Sequence, residues 1–171
     1  ELCKRLHARV FEIPTGRPSM LGRRLEARLH DALVEAGVTV ETGQVTDIET
    51  SDGRIERVTR AEESHRVSSV VLATGGLGAG GLVAGRADVR EPVFDCHVAA
   101  PDDRAEWTAQ GFLDDQPFAR FGVAVDDRLR PVDADGAIEY ENLRSVGRLL
   151  GGFDYDAEQS ADGVAIASGY A

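Results

Sequence analysis

The chain has 171 residues, 42% hydrophobic and 29% charged, with a formal net charge of −11. That balance describes one soluble globular domain and excludes a disordered or fibrous chain. With no basic stripe to neutralise phosphates and no run long and apolar enough to span a bilayer, nucleic-acid binding and membrane insertion are also excluded.

Acidic residues run the whole length, and Lys4 is the one lysine among 19 basic residues. Excess carboxylate with almost no lysine suits a halophile's protein, since concentrated salt screens self-repulsion. A GC-rich genome would give the same arginine bias. The first residue is Glu1 rather than methionine, which reads as a fragment or a processed product. Cys3 and Cys96 stand far apart without a Cys-x-x-Cys pair, as two reduced thiols of a cytosolic protein would. The four histidines lack metal-ligand spacing, and no metal is expected.

In chain order, "SMLGRRLEARLHDALVEAG" predicts an amphipathic helix. Ser19 caps it, Leu21, Leu25, Leu29, Leu33 and Val34 fall near one face, and Gly37 ends it in a left-handed cap. "VTVETGQVTDIETSDGRIERVTRA" reads as a strand, a short strand, a hairpin turn at Asp52-Gly53 and a strand. "HRVSSVVLATGG" gives a strand that becomes apolar on both faces, like a central strand of a parallel sheet. The pattern then loosens. "GGLVAGR" suggests a helical turn, "REPVFDCHVA" an extended segment, and "DDRAEWTAQG" a short helix that Trp107 packs onto the body. "FARFGVAVDDRLRPVDADGAIEYENL" reads as strand, Asp-rich turn and strand, and "RSVGRLLGG" as a further apolar strand. "SADGVAIASGYA" is the capped opening of a helix, so the class is mixed α and β.

The chemistry sits in the glycines. "VVLATGGLGAGG" leaves an apolar strand for five glycines in seven residues. A phosphate loop is excluded, because Leu82 and Val83 stand where Lys-Ser/Thr would supply charge and a magnesium ligand. Gly76, Gly78 and Gly81 meet the bare Gly-x-Gly-x-x-Gly spacing, but the segment behind them is too short for the helix a dinucleotide fingerprint needs. Two readings remain at this point: a tight surface turn, or a late strand of a flavoprotein's nucleotide domain ending in Ala73, Thr74, Gly75 and Gly76.

The C-terminal stretch repeats the device. A strand ends at Val146-Gly147, Gly151-Gly152 follows, and a helix starts near Asp162-Gly163-Val164. In flavin-binding folds a late strand ends in a glycine beneath the ribityl chain, and the next helix aims its N-terminal amides at the isoalloxazine. That helix end carries about half a positive charge, which stabilises an anionic reduced flavin. Two glycine sites in this order favour the flavin reading. The candidate cofactor-binding residues are Ala73, Thr74, Gly75, Gly76, Gly147, Gly151, Gly152, Gly163 and Val164.

The runs "GGLVAGRADVREPVFD", "FGVAVDDRLRP" and "ENLRSVGRLLGGFD", with "IPTGRPSMLGRRL" before the first helix, resemble the B-subunit family of anaerobic glycerol-3-phosphate dehydrogenases. That family lies within the succinate dehydrogenase/fumarate reductase-like flavoproteins. The likeness runs from Phe11 to the last residue and falls on the later part of the family's polypeptide. It implies an α/β, Rossmann-like FAD/NAD(P)-binding fold with a β-hairpin or meander insertion. Residues 1–171 would be the C-terminal portion of a flavin-binding domain, with the strand–glycine–helix unit that grips the pyrophosphate absent and upstream of Glu1. The resemblance further implies FMN, with FAD as the alternative. Its implied partners are an FAD-bearing subunit and an iron–sulfur subunit that passes electrons towards membrane quinone in anaerobic respiration. The protein would then be cytoplasmic, peripheral at the inner face of the cell membrane, touching the membrane only through its partners. One residue departs from the superfamily pattern: Arg148 stands where an acid often binds a ribityl hydroxyl, and an arginine cannot accept a hydrogen bond. Arginine suits a phosphate such as that of FMN, or a solvent-facing position.

Oxidation of glycerol 3-phosphate, the reaction the resemblance implies, needs a base for the hydroxyl proton, cations for the phosphate and a flavin to take the hydride. Arg17, Arg23, Arg86 and Arg90 lie in the family-like segments, and guanidinium matches phosphate. Arg90 leads because Pro92 fixes the adjoining turn; the competing reading pairs it with Glu91 or Asp95. His97 is the candidate base, against a structural place in a strand. His7, His30 and His65 have nothing to orient them, and no Ser-His-Asp order or carboxylate pair suggests a hydrolase. The implied function is a flavin subunit of a quinone-linked glycerol-3-phosphate dehydrogenase, with this fragment inactive alone. The alternatives are a non-catalytic electron-relay and assembly subunit of that complex, or another fumarate reductase-like enzyme acting on a dicarboxylate or enone.

Overall fold

In a computed structural model, residues 4, 5, 7, 9, 19–155 and 157–171 are described; Cys3 and Arg17 lie outside them. The chain divides into two units, Glu1–Gly43 and Gln44–Ala171. The first carries helix α1 (Met20–Glu35), whose ends match the sequence signals. The Gly22 N–H donates to Ser19 Oγ at 3.1 Å, satisfying one of the orphan donors of the first turn. At the other end Gly37 takes a left-handed φ of 78°. Its N–H donates to Val34 O and that of Val38 to Leu33 O, the paired bonds of a Schellman stop. Leu21, Leu25, Leu29 and Leu33 are exposed along α1.

The second unit contains β1 (Val45–Ser51), β2 (Arg54–Arg60), β3 (Glu63–Arg66), β4 (Val70–Leu72), β5 (Val83–Ala84), β6 (Val89–Arg90), β7 (Val98–Ala99), β8 (Gly122–Val123), β9 (Leu143–Ser145) and helix α2 (Ala161–Tyr170). Strands β1, β2 and β3 form an antiparallel meander. Asp52 and Gly53 both take positive φ in its first turn, as a two-residue hairpin loop requires. The expected first strand at Val38–Val40 does not form; Glu63–Arg66 supplies the third strand instead. The pairs β5–β6 and β7–β8 are antiparallel, whereas β4 and β9 are parallel.

Several short segments depart from their sequence periodicity for local reasons. The helical turn expected in "GGLVAGR" lies earlier, at Leu77–Ala79, and Val83–Ala84 is a strand paired to β6. "REPVFDCHVA" is not extended throughout, because the Glu91 carboxylate turns the chain. It accepts from the N–H groups of Val93 and Phe94 at 2.8 and 2.7 Å. The expected strand in "RSVGRLLGG" ends at Ser145, and Gly147–Leu149 is a 3-10 turn. The Asp-rich turn holds as expected, with Asp126 Oδ1 accepting from the N–H groups of Arg128 and Arg130. Trp107 does pack its short turn inward: its indole N–H donates to Pro101 O at 2.7 Å and its ring meets Phe121 edge-on.

The core gathers Leu72, Leu82, Phe94, Cys96, Val98, Val123, Leu143 and Leu149, with Ile55 reaching in from the meander. Each large apolar side chain buried there contributes roughly 1.5–3 kcal/mol. Asn142 fastens the meander to this core. Its Oδ1 accepts from the Ile55 N–H at 2.9 Å, and its Nδ2 donates to Ile55 O at 2.8 Å and to Ser68 O at 3.2 Å. Asn142→Ala would strand the buried Ile55 N–H and C=O together. The expected cost is about 2 kcal/mol, read as a lower urea midpoint at unchanged slope.

The mixed α/β class and the meander are thus present. The parallel pairing among the described residues is the β4–β9 ladder with one isolated bridge, Val123 to Leu150, and Val71, on the face of β4 away from the core, is 64% exposed.

Candidate functional site

Strands β4 and β9 run side by side in register, Val70 opposite Leu143 and Leu72 opposite Ser145. The Val146 N–H continues the ladder by donating to Leu72 O at 3.0 Å. The two glycine turns therefore leave the same edge of the sheet as neighbours, Ala73-Thr74-Gly75-Gly76 from one strand and Val146-Gly147 from the other. Helix α2 is tied to that edge, because Ser168 Oγ accepts from the Gly147 N–H at 2.9 Å while donating to Val164 O. Sequence reasoning missed Ser168, for a lone serine late in a helix carries no periodic signal.

The missing side chains serve two purposes. A Cβ on Gly81 would collide with the carbonyls of Thr74 and Gly75, and one on Gly76 would sit 3.0 Å from Arg148 O. These glycines let backbone fold against backbone, and the loop is followed by strand β5 rather than the helix of a dinucleotide fingerprint. Gly151 is likewise spent against Gly122, whose O would lie 2.9 Å from a Cβ there. Gly147 and Gly152 differ. Both have left-handed φ, and a Cβ on either would meet no protein atom within 4 Å.

A flavin needs bare backbone beside its ribityl chain and an uncommitted helix end facing its ring. Gly147 and Gly152 present the first. Helix α2 offers the second, since Ser160 makes no side-chain capping bond and Gly163 opens on free space, although Asp162 in the first turn offsets part of the dipole's field. The residues present fit that group. Arg148 is exposed, as the solvent-facing alternative expected, and its guanidinium stacks 3.4 Å above the Tyr155 ring.

Arg90 and His97 come together elsewhere. Both line a cavity of about 270 Å³ with Asp88, Asp95, Cys96 and Trp107, and none of its lining residues belongs to the glycine edge. Among the described residues Arg90 makes no ion pair, so the expected pairing with Glu91 or Asp95 does not occur. Arg86 accepts from the Arg104 guanidinium through its carbonyl, and Arg23 lies exposed on α1. Of the remaining histidines, His7, His30 and His65 are all exposed.

The His97 N–H donates to both oxygens of Glu139, at 3.0 and 3.2 Å. Burial pushes the Glu139 carboxyl above its usual range, with the His97 N–H partly offsetting it. Burial, and then the charges of Glu139 and Glu91, push the Cys96 thiol far up, so it stays protonated and unreactive at neutral pH. Because the folded value of Glu139 is raised, its ionised form costs stability above that value, and the cost fades as pH falls through it. Glu139→Gln is expected to flatten this part of the stability profile in chemical denaturation between about pH 4 and 8. An unchanged profile would mean that Glu139 titrates normally.

Compared with known proteins, residues 3–163 match the model of a family described as FAD binding domain. The chain is 46% identical to proteins named as the probable B-subunit of anaerobic glycerol-3-phosphate dehydrogenase in two strains of Halobacterium salinarum, over 99% of this chain and 41% of theirs. It is 34% identical to the anaerobic glycerol-3-phosphate dehydrogenase B-subunit of Yersinia pseudotuberculosis, over 91% of this chain and 37% of that protein. The Vibrio cholerae protein of the same name is also 34% identical, over 95% and 38%. The chain thus spans about two fifths of the length of these relatives. No solved structure matches it significantly. The family description names FAD; FMN, the first of the two flavins expected, finds no support there.

Proposed function

The chain belongs to the FAD binding domain family, and from that premise we propose that it forms the ribityl and ring side of an FAD site in a flavin oxidoreductase subunit. Its parent is a subunit of a quinone-linked glycerol-3-phosphate dehydrogenase, working beside an FAD-bearing subunit and an iron–sulfur subunit. The observation that carries the reading is the parallel pairing of β4 with β9, which sets the Gly75 and Gly147 turns side by side at one sheet edge. In this reading the pair is part of a larger Rossmann-like parallel sheet, and residues 1–171 are the C-terminal portion of the flavin domain. The exposed Val71 supports that, because parallel strands are stable when both faces are covered.

When bound, the flavin would accept a hydride from the substrate's secondary carbon. This chain's part is positional. Gly147 and Gly152 would leave room for the cofactor, Ser168 fixes the strand-end turn to α2, and the N-terminal amides of α2 would stabilise negative charge on the ring. The complex would sit at the cytoplasmic face of the membrane through its partners, in line with no described helix being long and apolar enough to cross one. The acidic, lysine-poor surface and the Halobacterium relatives support a salt-adapted source.

One observation favours a second reading. The cavity holding Arg90 and His97, the cation and base candidates, shares no residue with the glycine edge. In that reading the subunit relays electrons, and the alcohol is oxidised on a partner. The test is the anaerobic visible spectrum of the full-length parent in high salt, before and after glycerol 3-phosphate. Bleaching of the flavin band is expected if oxidation occurs on this subunit. A band that bleaches only once the FAD-bearing partner is added identifies the relay, and no flavin band overturns both.

A further inference from the structure

We propose that the turn at Gly111–Asp114 is a docking knob, presenting Phe112 and Leu113 to an apolar pocket with a basic rim on a partner subunit. The inference rests on the reading of the chain as one subunit of a complex. Phe112 and Leu113 are 94% and 93% exposed, next to each other at the tip of one turn. Single exposed apolar residues are ordinary on protein surfaces, but two adjacent large ones standing fully in water are not.

The turn beneath them is built to hold still. The Gly111 N–H donates to Asp114 Oδ2 at 3.0 Å, and the Asp114 N–H donates back to Gly111 O at 3.1 Å. Gln116 closes the base of the loop. Its Nε2 donates to Gly111 O and Asp114 O at 2.8 and 3.1 Å, and its Oε1 accepts from the Ala109 N–H at 3.0 Å. A Cβ on Gly111 would collide with the Asp114 carboxylate and displace it from the Gly111 N–H. A tip fastened this way loses little further freedom on association, which is how rigid apolar anchors gain affinity.

Charge selects the partner. Asp114 and Asp115 follow the apolar pair directly and are exposed, on a chain whose net charge is −11. An anionic bilayer would repel that tip. A second copy of the same acidic surface would set carboxylate against carboxylate. A different chain with arginine or lysine around an apolar hollow satisfies both parts.

The experiment uses the full-length subunit with Cys3 and any reactive cysteine outside residues 1–171 changed to serine, and with Gln110→Cys placing a thiol beside the knob at an exposed position. Cys96 is buried and does not compete for a maleimide. Labelling is expected to be fast in the isolated subunit and roughly tenfold slower in the complex with the FAD-bearing and iron–sulfur subunits. Adding Phe112→Ala and Leu113→Ala is expected to lower recovery of those subunits roughly tenfold while leaving the bound flavin unchanged. Slow labelling in the isolated subunit would overturn the proposal, because the subunit's own remaining polypeptide would then cover the tip. So would equal labelling with and without partners in a complex that assembles, or protection conferred by self-association or by anionic vesicles. In these cases the subunit reading itself survives. If the unsubstituted chain retains neither subunit, that reading fails and the docking proposal falls with it.

Discussion

Gly122→Ala is expected to destabilise the chain by about 3 kcal/mol, the upper end of what overpacking a well-filled interior costs. The added Cβ would lie 2.5 Å from Gly151 Cα and against Gly151 N and the Leu150 carbonyl carbon. All of these are backbone atoms, so no side chain can rotate away to relieve the contact. The approach is also held from the other side. The Gly151 N–H donates to Val123 O at 3.2 Å, the Gly152 N–H donates to Arg120 O at 2.9 Å, and Val123 bridges Leu150. Val123 and Leu149, 1% and 0% exposed, sit in the core beside this seam, so a shift there opens the interior to water. Gly136→Ala is the control. Unlike Gly122 it has a positive φ, and a Cβ there meets nothing within 4 Å, so only backbone strain of about 1 kcal/mol is expected. Urea denaturation of the two variants separates packing from strain: equal midpoints would show that β8 tolerates separation from Gly151.

The second large effect is on cofactor retention. Gly147→Val places a β-branched residue at a φ of 68°, which costs about 1–2 kcal/mol in strain. Its Cβ would meet no protein atom within 4 Å beyond its chain neighbours, so the side chain starts into open space. In the proposed site that space belongs to the flavin. The full-length Gly147→Val subunit is therefore expected to fold yet retain flavin at least roughly tenfold less well, which corresponds to about 1.4 kcal/mol of lost binding or more. Gly136→Val carries a similar positive φ of 82° away from the glycine edge and is expected to keep its flavin. Loss of flavin in both variants would indicate general destabilisation, and retention in both would remove Gly147 from the site.

How much of this is legible in the sequence depends on the range of the interactions. Helix α1 is readable because its signals are local: Ser19 caps three residues on, and Gly37 closes the Schellman turn within the same few residues. The Asp52-Gly53 turn is readable for the same reason; α2 starts where expected, but without the expected cap, since Ser160 makes no side-chain bond to the first turn. The short strands are not, because strands of two or three residues are fixed by their partners rather than by alternation. Asn142 bonds Ile55 across 87 residues of chain, and Ser168 bonds Gly147 across 21; no window of sequence contains either pair. Adjacency suggests Glu91 as an ion-pair partner for Arg90, but two backbone donors satisfy its carboxylate instead, and it is fully buried.

The sequence marks the glycines as sites of close approach, yet it does not separate those approached by backbone from those left open. Gly76, Gly81 and Gly151 belong to the first kind, and Gly147 and Gly152 to the second. The difference is made by what packs against each: Arg148 O on Gly76, the carbonyls of Thr74 and Gly75 on Gly81, and Gly122 on Gly151. Arg148 is equally opaque, because the Tyr155 ring that it covers follows a turn whose path no propensity dictates.

The measurement that bears most directly on the flavin edge is amide hydrogen exchange on the full-length subunit, with and without FAD. Slower exchange on adding FAD is predicted at residues 73–76, 147–152 and 161–164, with the meander of β1, β2 and β3 unaffected. Protection confined to other segments, with these three exchanging at the same rate in both states, would contradict the assignment.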